Sequence, residues 1–476
     1  MNGQIQATIF LEHSMLLIGV LGYLLLSLMI GLAAMRRVRS AQDFLTSGRN
    51  MPMALNTAAL FALWYGSETM LGASGTFAMD GLQAILEDPF GAALCLFIAA
   101  AFFVRPLYRQ NVATLGELYE KSYGPAFGLW ASLAMTFTFF SYAAGQFVAL
   151  GLVVAQVSQL SVAEGIVLCA AVVTVYTMAG GLWAVSFTDL LQGIVMVVGL
   201  GFTAWQVTAL AGGPQAVLQS AAPYHFDFWP DPQPVAWLHW LGAWIIIGLG
   251  SLPSQDIFQR FNAARTEKAA ILSTWLGGGL YLILALVPLY LALAALKLEI
   301  VPGSGSVAAQ DILPRLISAS MPPVLQILFY GALLSAILST ASGALLAPAA
   351  LLSENIFPVF LKLSSTPRGH LFRVRLAVVG VAFISGFLAL IERNIFHLVS
   401  LASALGLVSL FVPLCAALFT SKPSSRGAFG ALCGGLGGYL VGHLPGVEYP
   451  VPPHLVGLSI SLLVYQIGRL LDRILS

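Results

Sequence analysis

The sequence predicts an all-α, polytopic membrane protein, and three observations carry that reading. Only 9% of its 476 residues are charged and 58% are hydrophobic, where an average soluble domain is roughly 25% charged. Mean hydropathy is +0.88. Apolar runs near the ~20 residues that cross a bilayer as a helix recur thirteen times. Other classes drop out early. The net charge is +1, and the longest basic cluster is Arg36-Arg-Val-Arg39, so nucleic acid is no expected partner. Cys95, Cys169, Cys415 and Cys433 are scattered at no metal or redox spacing and read as small core residues. The N-terminus lacks a basic n-region, so the first apolar run is expected to be retained rather than cleaved.

The expected spans lie near 14–35, 52–79, 84–108, 124–157, 161–178, 184–211, 236–258, 268–297, 322–357, 371–391, 396–420, 427–446 and 454–473. Arg36, Arg37 and Arg39 put the end of the first span in the cytoplasm by the positive-inside rule. Alternation from there gathers all but Lys297, Arg315 and Arg393 of the 21 Lys and Arg on the cytoplasmic side. The N-terminus is then external and the C-terminus cytoplasmic. Trp229 and Trp237 flank the external 212–235 loop as interfacial aromatics.

Thirteen spans divide as 1–50 with the first helix, a five-helix unit at 51–211, the loop at 212–235, a second five-helix unit at 236–420, and two final helices at 421–476. An odd number of helices per unit forces the two units into opposite orientations. In such inverted repeats solute and ions bind at mid-membrane between discontinuous helices.

Each unit opens with an interrupted span. The first carries Gly66, Ser67, Glu68 and Thr69 within Ala62-Leu-Trp-Tyr-Gly-Ser-Glu-Thr-Met-Leu-Gly72. Hydrocarbon tolerates neither bare backbone nor an unpaired carboxylate, so this centre must face protein, an ion or a solute. The alternative is a kinked helix with Ser67 as the cap of its second half. The second unit opens with Gly248-Leu-Gly-Ser-Leu-Pro-Ser-Gln255, interrupted by glycines and Pro253. Gly66, Gly250 and Pro253 are the candidate hinges.

The ninth span contains Ala336-Ile-Leu-Ser-Thr-Ala-Ser-Gly343. Sodium is a hard cation that takes several oxygens at once. Ser339 and Thr340 offer hydroxyls, Ala336 a carbonyl one turn back, and Ala62 and Tyr65 two carbonyls from the unwound span. The competing reading is that these hydroxyls bond only to their own helix. Asp189, near the cytoplasmic start of the sixth span, is functional by default as an intramembrane carboxylate, or else a shallow, solvated structural one.

Several segments resemble the sodium:solute symporter family, most nearly its choline-type members. They are Gly48-Arg49, Gly180-Gly-Leu-Trp-Ala-Val-Ser-Phe-Thr-Asp-Leu-Leu-Gln192, Pro253-Ser-Gln-Asp-Ile-Phe-Gln-Arg260 and Ser339-Thr-Ala-Ser342. The resemblance implies thirteen spans, the leucine-transporter inverted repeat and sodium as the coupling ion. It also implies sodium ligands at Ala62, Tyr65, Ala336, Ser339 and Thr340. Some members hold a second sodium nearer the cytoplasm, and Asp189, Ser339 and Ser342 match that pattern. Gly343 departs from it where a serine is needed, which leaves Asp189 as a second-ion or ion-exit residue.

The expected solute neighbours are Trp64, Glu68, Phe140, Tyr142, Gln146, Trp244, Ser254 and Gln255. Trp64 and Tyr142 can stack on a cation that Glu68 neutralises, or can be packed core. Ser254 stands where choline carriers would place an aromatic. Glu68 has no intramembrane Lys or Arg partner in the sequence pattern.

The expected function is sodium-coupled symport of a small organic solute by alternating access. An amine or amino acid-like molecule comes first, a carboxylate or sugar second. Proton coupling, or a sodium-permeable channel or sensor, are the alternatives. None of the seven histidines stands in a hydrolase spacing, so no enzyme is expected. The chain runs only about three residues past its last span, so no signalling domain is expected either. The expected setting is a cell membrane, a bacterial inner membrane, with the carrier as a monomer or a homo-oligomer of independent units. The orientation has a direct check. With the native cysteines removed, Gln233→Cys should react with an impermeant thiol reagent from outside the cell and Lys121→Cys only after permeabilisation.

Overall fold

The computed structural model describes residues 47–475 except 159, 301–304, 361–366 and 445–449, together with positions 18–19, 22–23, 25–26 and 29. The Arg36–Arg39 cluster and most of the first expected span lie outside the described residues. The described chain is helical, and its one isolated bridge joins Met51 to Ala264.

The first interrupted span is α1 (Met53–Trp64), a π-turn (Glu68–Gly72) and α2 (Ala73–Asp80). Then come α3 (Leu82–Arg109), the short α4 (Leu115–Tyr123), α5 (Pro125–Val157) and α6 (Val162–Leu210). Gly181 breaks α6 at φ 55°, ψ −155°, a conformation that glycine adopts without steric cost. The second interrupted span is α7 (Pro234–Gly250) and α8 (Gln255–Ala263), bent by 50°. It leads into α9 (Glu267–Lys297), α10 (Pro323–Phe360), α11 (Gly369–Ile391), α12 (Ile395–Phe419), α13 (Ser425–Val441) and α14 (Pro453–Leu475).

Thirteen spans are not what length and hydropathy alone return. Among the described residues, eight helices are long and apolar enough to cross a membrane, or nine with the bent α7–α8 pair taken as one. The difference has physical causes. The first span is barely described. The second is cut by its break into α1 and α2. The part of α6 before Gly181 counts only as a shorter apolar helix, Val162–Val175. The helix α13 has just 17 residues.

The core sits on α10. Every residue from Phe329 to Leu351 is buried, as expected of a helix apolar all round. It packs along α5, α6 and α1. By contrast α14 is mostly uncovered, with 22% of its apolar window buried.

One half of each broken span, α1 and α8, is stitched to the other. Met51 N–H donates to the Ala263 carbonyl at 2.9 Å and Arg265 N–H to the Met51 carbonyl at 3.0 Å. Arg260, counted among the cytoplasmic charges by sequence, is instead fully buried. Its Nε reaches the Ala59 carbonyl of α1 at 3.3 Å and its Nη1 the Asp256 carbonyl at 3.2 Å.

Gly250 ends α7 against α12. A Cβ there would strike the Ser403 carbonyl and come within 3.0 Å of the Leu407 Cβ. Gly250→Ala should therefore destabilise the purified protein by about 1–3 kcal/mol, the usual cost of overpacking, read as a lower midpoint in thermal unfolding. Gly279→Ala, facing open space, is the control that should leave the midpoint near wild type.

Candidate functional site

The α1 helix stops at Tyr65, where φ −84° and ψ 70° turn the carbonyl off the helix axis. The Tyr65 hydroxyl is held by the Leu284 carbonyl at 2.9 Å. Gly66 is needed for space, since a Cβ there would lie 2.7 Å from Thr340 Oγ1 and 3.0 Å from Gln146 Oε1. The chain restarts without a hydroxyl cap. Ser67 Oγ is buried with no partner, and its N–H donates instead to Gln146 Oε1 at 3.1 Å. A glutamine on α5 thus serves the interrupted backbone, where the sequence offered a serine.

Oxygens of α10 face the break. Thr340 Oγ1 lies 3.0 Å from the Ala62 carbonyl and 3.1 Å from the Ala336 carbonyl. Ser339 Oγ is 3.5 Å from the Ala62 carbonyl and donates to Asp189 Oδ1. Two carbonyls, two hydroxyls and a carboxylate converge, a hard-oxygen set suited to an alkali cation. Asp189 is fully buried, with Oδ2 unpartnered, so the shallow, solvated reading of this residue fails. Ser342 bonds back to the Ser339 carbonyl at 2.8 Å. At Gly343, where a serine would be needed, an added Cβ would sit 2.9 Å from Arg260 Nη2. Among the described residues no group of three or more His, Cys, Asp or Glu is placed to hold a metal ion.

Beside the break lies a cavity of about 60 Å³. Of the expected solute neighbours, Trp64, Glu68, Tyr142, Gln146 and Ser254 line it, as do Gly66, Gly250 and Pro253. Tyr142 donates to the Leu63 carbonyl at 3.2 Å. Three expected neighbours lie elsewhere. Phe140 packs edge-on against Phe137, and its neighbour Phe139 takes the wall. Trp244 joins the aromatic cluster of Phe90, Phe228 and Trp240. Gln255 Oε1 accepts from Leu115 N–H of α4 at 2.8 Å, tying α8 to a neighbouring helix.

Asp256, which no sequence pattern singled out, also lines the cavity. It accepts from Ser254 Oγ and from its own helix at Ile257 N–H, 2.7 Å away. Glu87 and Asp88 were likewise not among the expected site residues. Ser400 donates to Glu87, and Asp88 accepts from Tyr281 at 2.6 Å. For Glu87 and Asp88 the signal was a pair of carboxylates interrupting an apolar run; Asp256, among Ser254, Gln255, Gln259 and Arg260, carried no such signal.

The comparisons with known proteins bear on this geometry. A family model described as the sodium:solute symporter family matches residues 44–436. The chain belongs to the sodium:solute symporter family. The symporter is 24% identical over 454 residues to the high-affinity choline transporter 1 of Drosophila melanogaster, covering 90% of this chain and 72% of that one. It is 25% identical over 448 residues to the high-affinity proline transporter PutP of Bacillus subtilis (strain 168), covering 92% and 94%. A solved structure of a Na+-coupled sialic acid symporter, substrate-bound and outward-open, superposes with a TM-score of 0.81 at 19% identity. It covers 95% of this chain and 97% of that one. The fold is accordingly of the leucine-transporter type. The protein is a multi-pass, sodium-coupled solute symporter and not an enzyme.

If the oxygen cluster is the ion's seat, Thr340→Ala and Ser339→Ala should each raise the half-saturating sodium concentration about tenfold, the effect of ~1.4 kcal/mol of lost coordination. The double variant should abolish sodium stimulation. Sodium-dependent uptake unchanged in the double variant would remove the cluster from ion binding.

Proposed function

We propose that this symporter couples inward sodium flow to uptake of a small organic cation, an amine. The observation that carries the proposal is the charge around the cavity. Glu68 and Asp256 line it, and Glu87 and Asp88 follow closely in the chain. No Lys or Arg pairs with any of these four among the described residues. Asp256 has the fully buried Arg260 one turn along its own helix, so the charge that decides is that of Glu68. A buried carboxylate needs a proton or a cation, and a solute amine supplies the cation. Trp64 and Tyr142 add π-faces that attract the same charge.

A carboxylate solute would face its own charge. The choline transporter among the relatives supports an amine. The proline transporter supports a zwitterionic amino acid as the second reading.

Sodium sits between the break and α10, on the carbonyls of Ala62, Tyr65 and Ala336 and the hydroxyls of Ser339 and Thr340. It holds the two elements together and so shapes the cavity beside Gly66. Asp189, bonded to Ser339, receives the ion on its way to the cytoplasm. The first and second five-helix units, 51–211 and 236–420, act as inverted repeats. Their inner half-helices α1 and α8, joined through Arg260 and Met51, swing as one body about Gly66, Gly250 and Pro253. One charge crossing at 100 mV supplies about 2.3 kcal/mol. The carrier lies in a cell membrane, a bacterial inner membrane, N-terminus outside and C-terminus inside. Each chain holds a complete site, so oligomers would be of independent units.

Uptake by proteoliposomes tests the substrate class. A labelled quaternary amine should accumulate only with an inward sodium gradient, and Glu68→Gln should cut that uptake at least tenfold. Accumulation of a neutral sugar, or full amine uptake by Glu68→Gln, would refute the cation reading. Accumulation of an amino acid alone would favour the zwitterion.

A further inference from the structure

We propose a second sodium site, built on Asp88 and separate from the oxygens around Thr340. Asp88 lies near the start of α3 and is 2% exposed. Its Oδ2 accepts from the Tyr281 hydroxyl of α9 at 2.6 Å and from the Thr69 hydroxyl at 3.2 Å. Thr69 Oγ1 also lies 3.0 Å from Tyr281 Oη and 3.4 Å from the Trp64 carbonyl at the end of α1. Both Asp88 oxygens, Thr69 Oγ1, Tyr281 Oη and the Trp64 carbonyl give five oxygens on three separate stretches of chain. Thr69 and Tyr281 are themselves fully buried.

Two features point to a cation as the ligand of this cluster. Asp88 Oδ1 is buried and has no hydrogen-bond partner, and no Lys or Arg pairs with the carboxylate among the described residues. A bare carboxylate in a membrane interior is strongly unfavourable unless a cation compensates it. A proton is the poorer candidate. Oδ2 is already an acceptor for two hydroxyls, and a proton on Oδ1 would have no acceptor to donate to. A sodium ion needs only lone pairs, which all five oxygens supply.

As at Thr340, whose hydroxyl lies 3.0 Å from the Ala62 carbonyl, a threonine hydroxyl here meets a carbonyl from the end of α1. The cluster's place has a mechanical meaning. Trp64 and Thr69 flank the break, so an ion on Asp88 ties the break to α3 and α9. The Trp64 and Tyr281 rings meet edge-on at 6.4 Å, and Trp64 also lines the solute cavity. The ion is thereby linked to solute binding.

This inference needs the sodium coupling of the family and not the identity of the solute. The test is equilibrium binding of radioactive sodium to the purified full-length protein, with no solute present. Wild type should bind two ions per chain and Asp88→Asn one. Thr69→Ala and Tyr281→Phe, milder changes, should keep two sites with one weakened at least fivefold. Thr340→Ala should weaken the other site and leave the Asp88 site intact. A wild-type capacity of one overturns the proposal. So does a capacity of two, at unchanged affinities, in both Asp88→Asn and Thr69→Ala. Because only sodium is added, failure here leaves the amine reading standing, and failure of amine uptake leaves this site standing.

Discussion

The structure depends on one constraint. A helix interrupted in the middle of a membrane has no water to satisfy its backbone. At Tyr65–Gly66 the chain answers with side chains from other helices. Gln146 of α5 accepts the Ser67 amide, and Thr340 of α10 donates to the Ala62 carbonyl. Gly66 is the point of closest approach, because any side chain there would displace both partners. The break is thus a junction where three elements meet on polar contacts. Polar contacts of this kind can be exchanged for an ion or a solute at modest cost, whereas packed methyl groups cannot.

Charge follows the same logic. The buried acids gather around the two breaks: Glu68 and Asp88 near the first, Asp256 just after the second, and Asp189 against the serine-rich turn of α10. The one fully buried guanidinium among the described residues, Arg260, bonds to backbone carbonyls of α1 and α8. It ties α1 to α8, and among the described residues neither Glu68 nor Asp256 forms an ion pair. A protein built only for stability would replace such groups with apolar ones, since buried charges rarely add net stability. Their presence here fits a carrier that couples to sodium.

The two broken spans are also joined directly. The bridge at Met51–Ala264 and the Arg260 contact make α1 and α8 one unit. The contact of Gly250 with α12, and the Gln255 bond to α4, join that unit to the surrounding helices. Gln255, expected beside the solute, has this positioning contact instead. Its backbone neighbourhood was legible in the sequence, but the direction of its side chain was not.

Local chemistry made much of this protein legible in its sequence. Apolar run length marked the helices. Glycine, proline and a carboxylate inside apolar runs marked both breaks, because hydrocarbon penalises those groups wherever they occur. Serine and threonine spacing on the ninth span likewise picked out Ser339 and Thr340. Tertiary structure alone decided which of two adjacent aromatics, Phe139 or Phe140, reaches the cavity, since a rotation of about 100° per residue separates them and packing sets the helix phase. It decided that Trp244 belongs to an outer aromatic cluster, that Asp189 is buried, and that Arg260 is not a surface charge. It also brought Asp88 to Thr69 and Tyr281, across 19 and 193 residues of chain, a juxtaposition that no local pattern encodes.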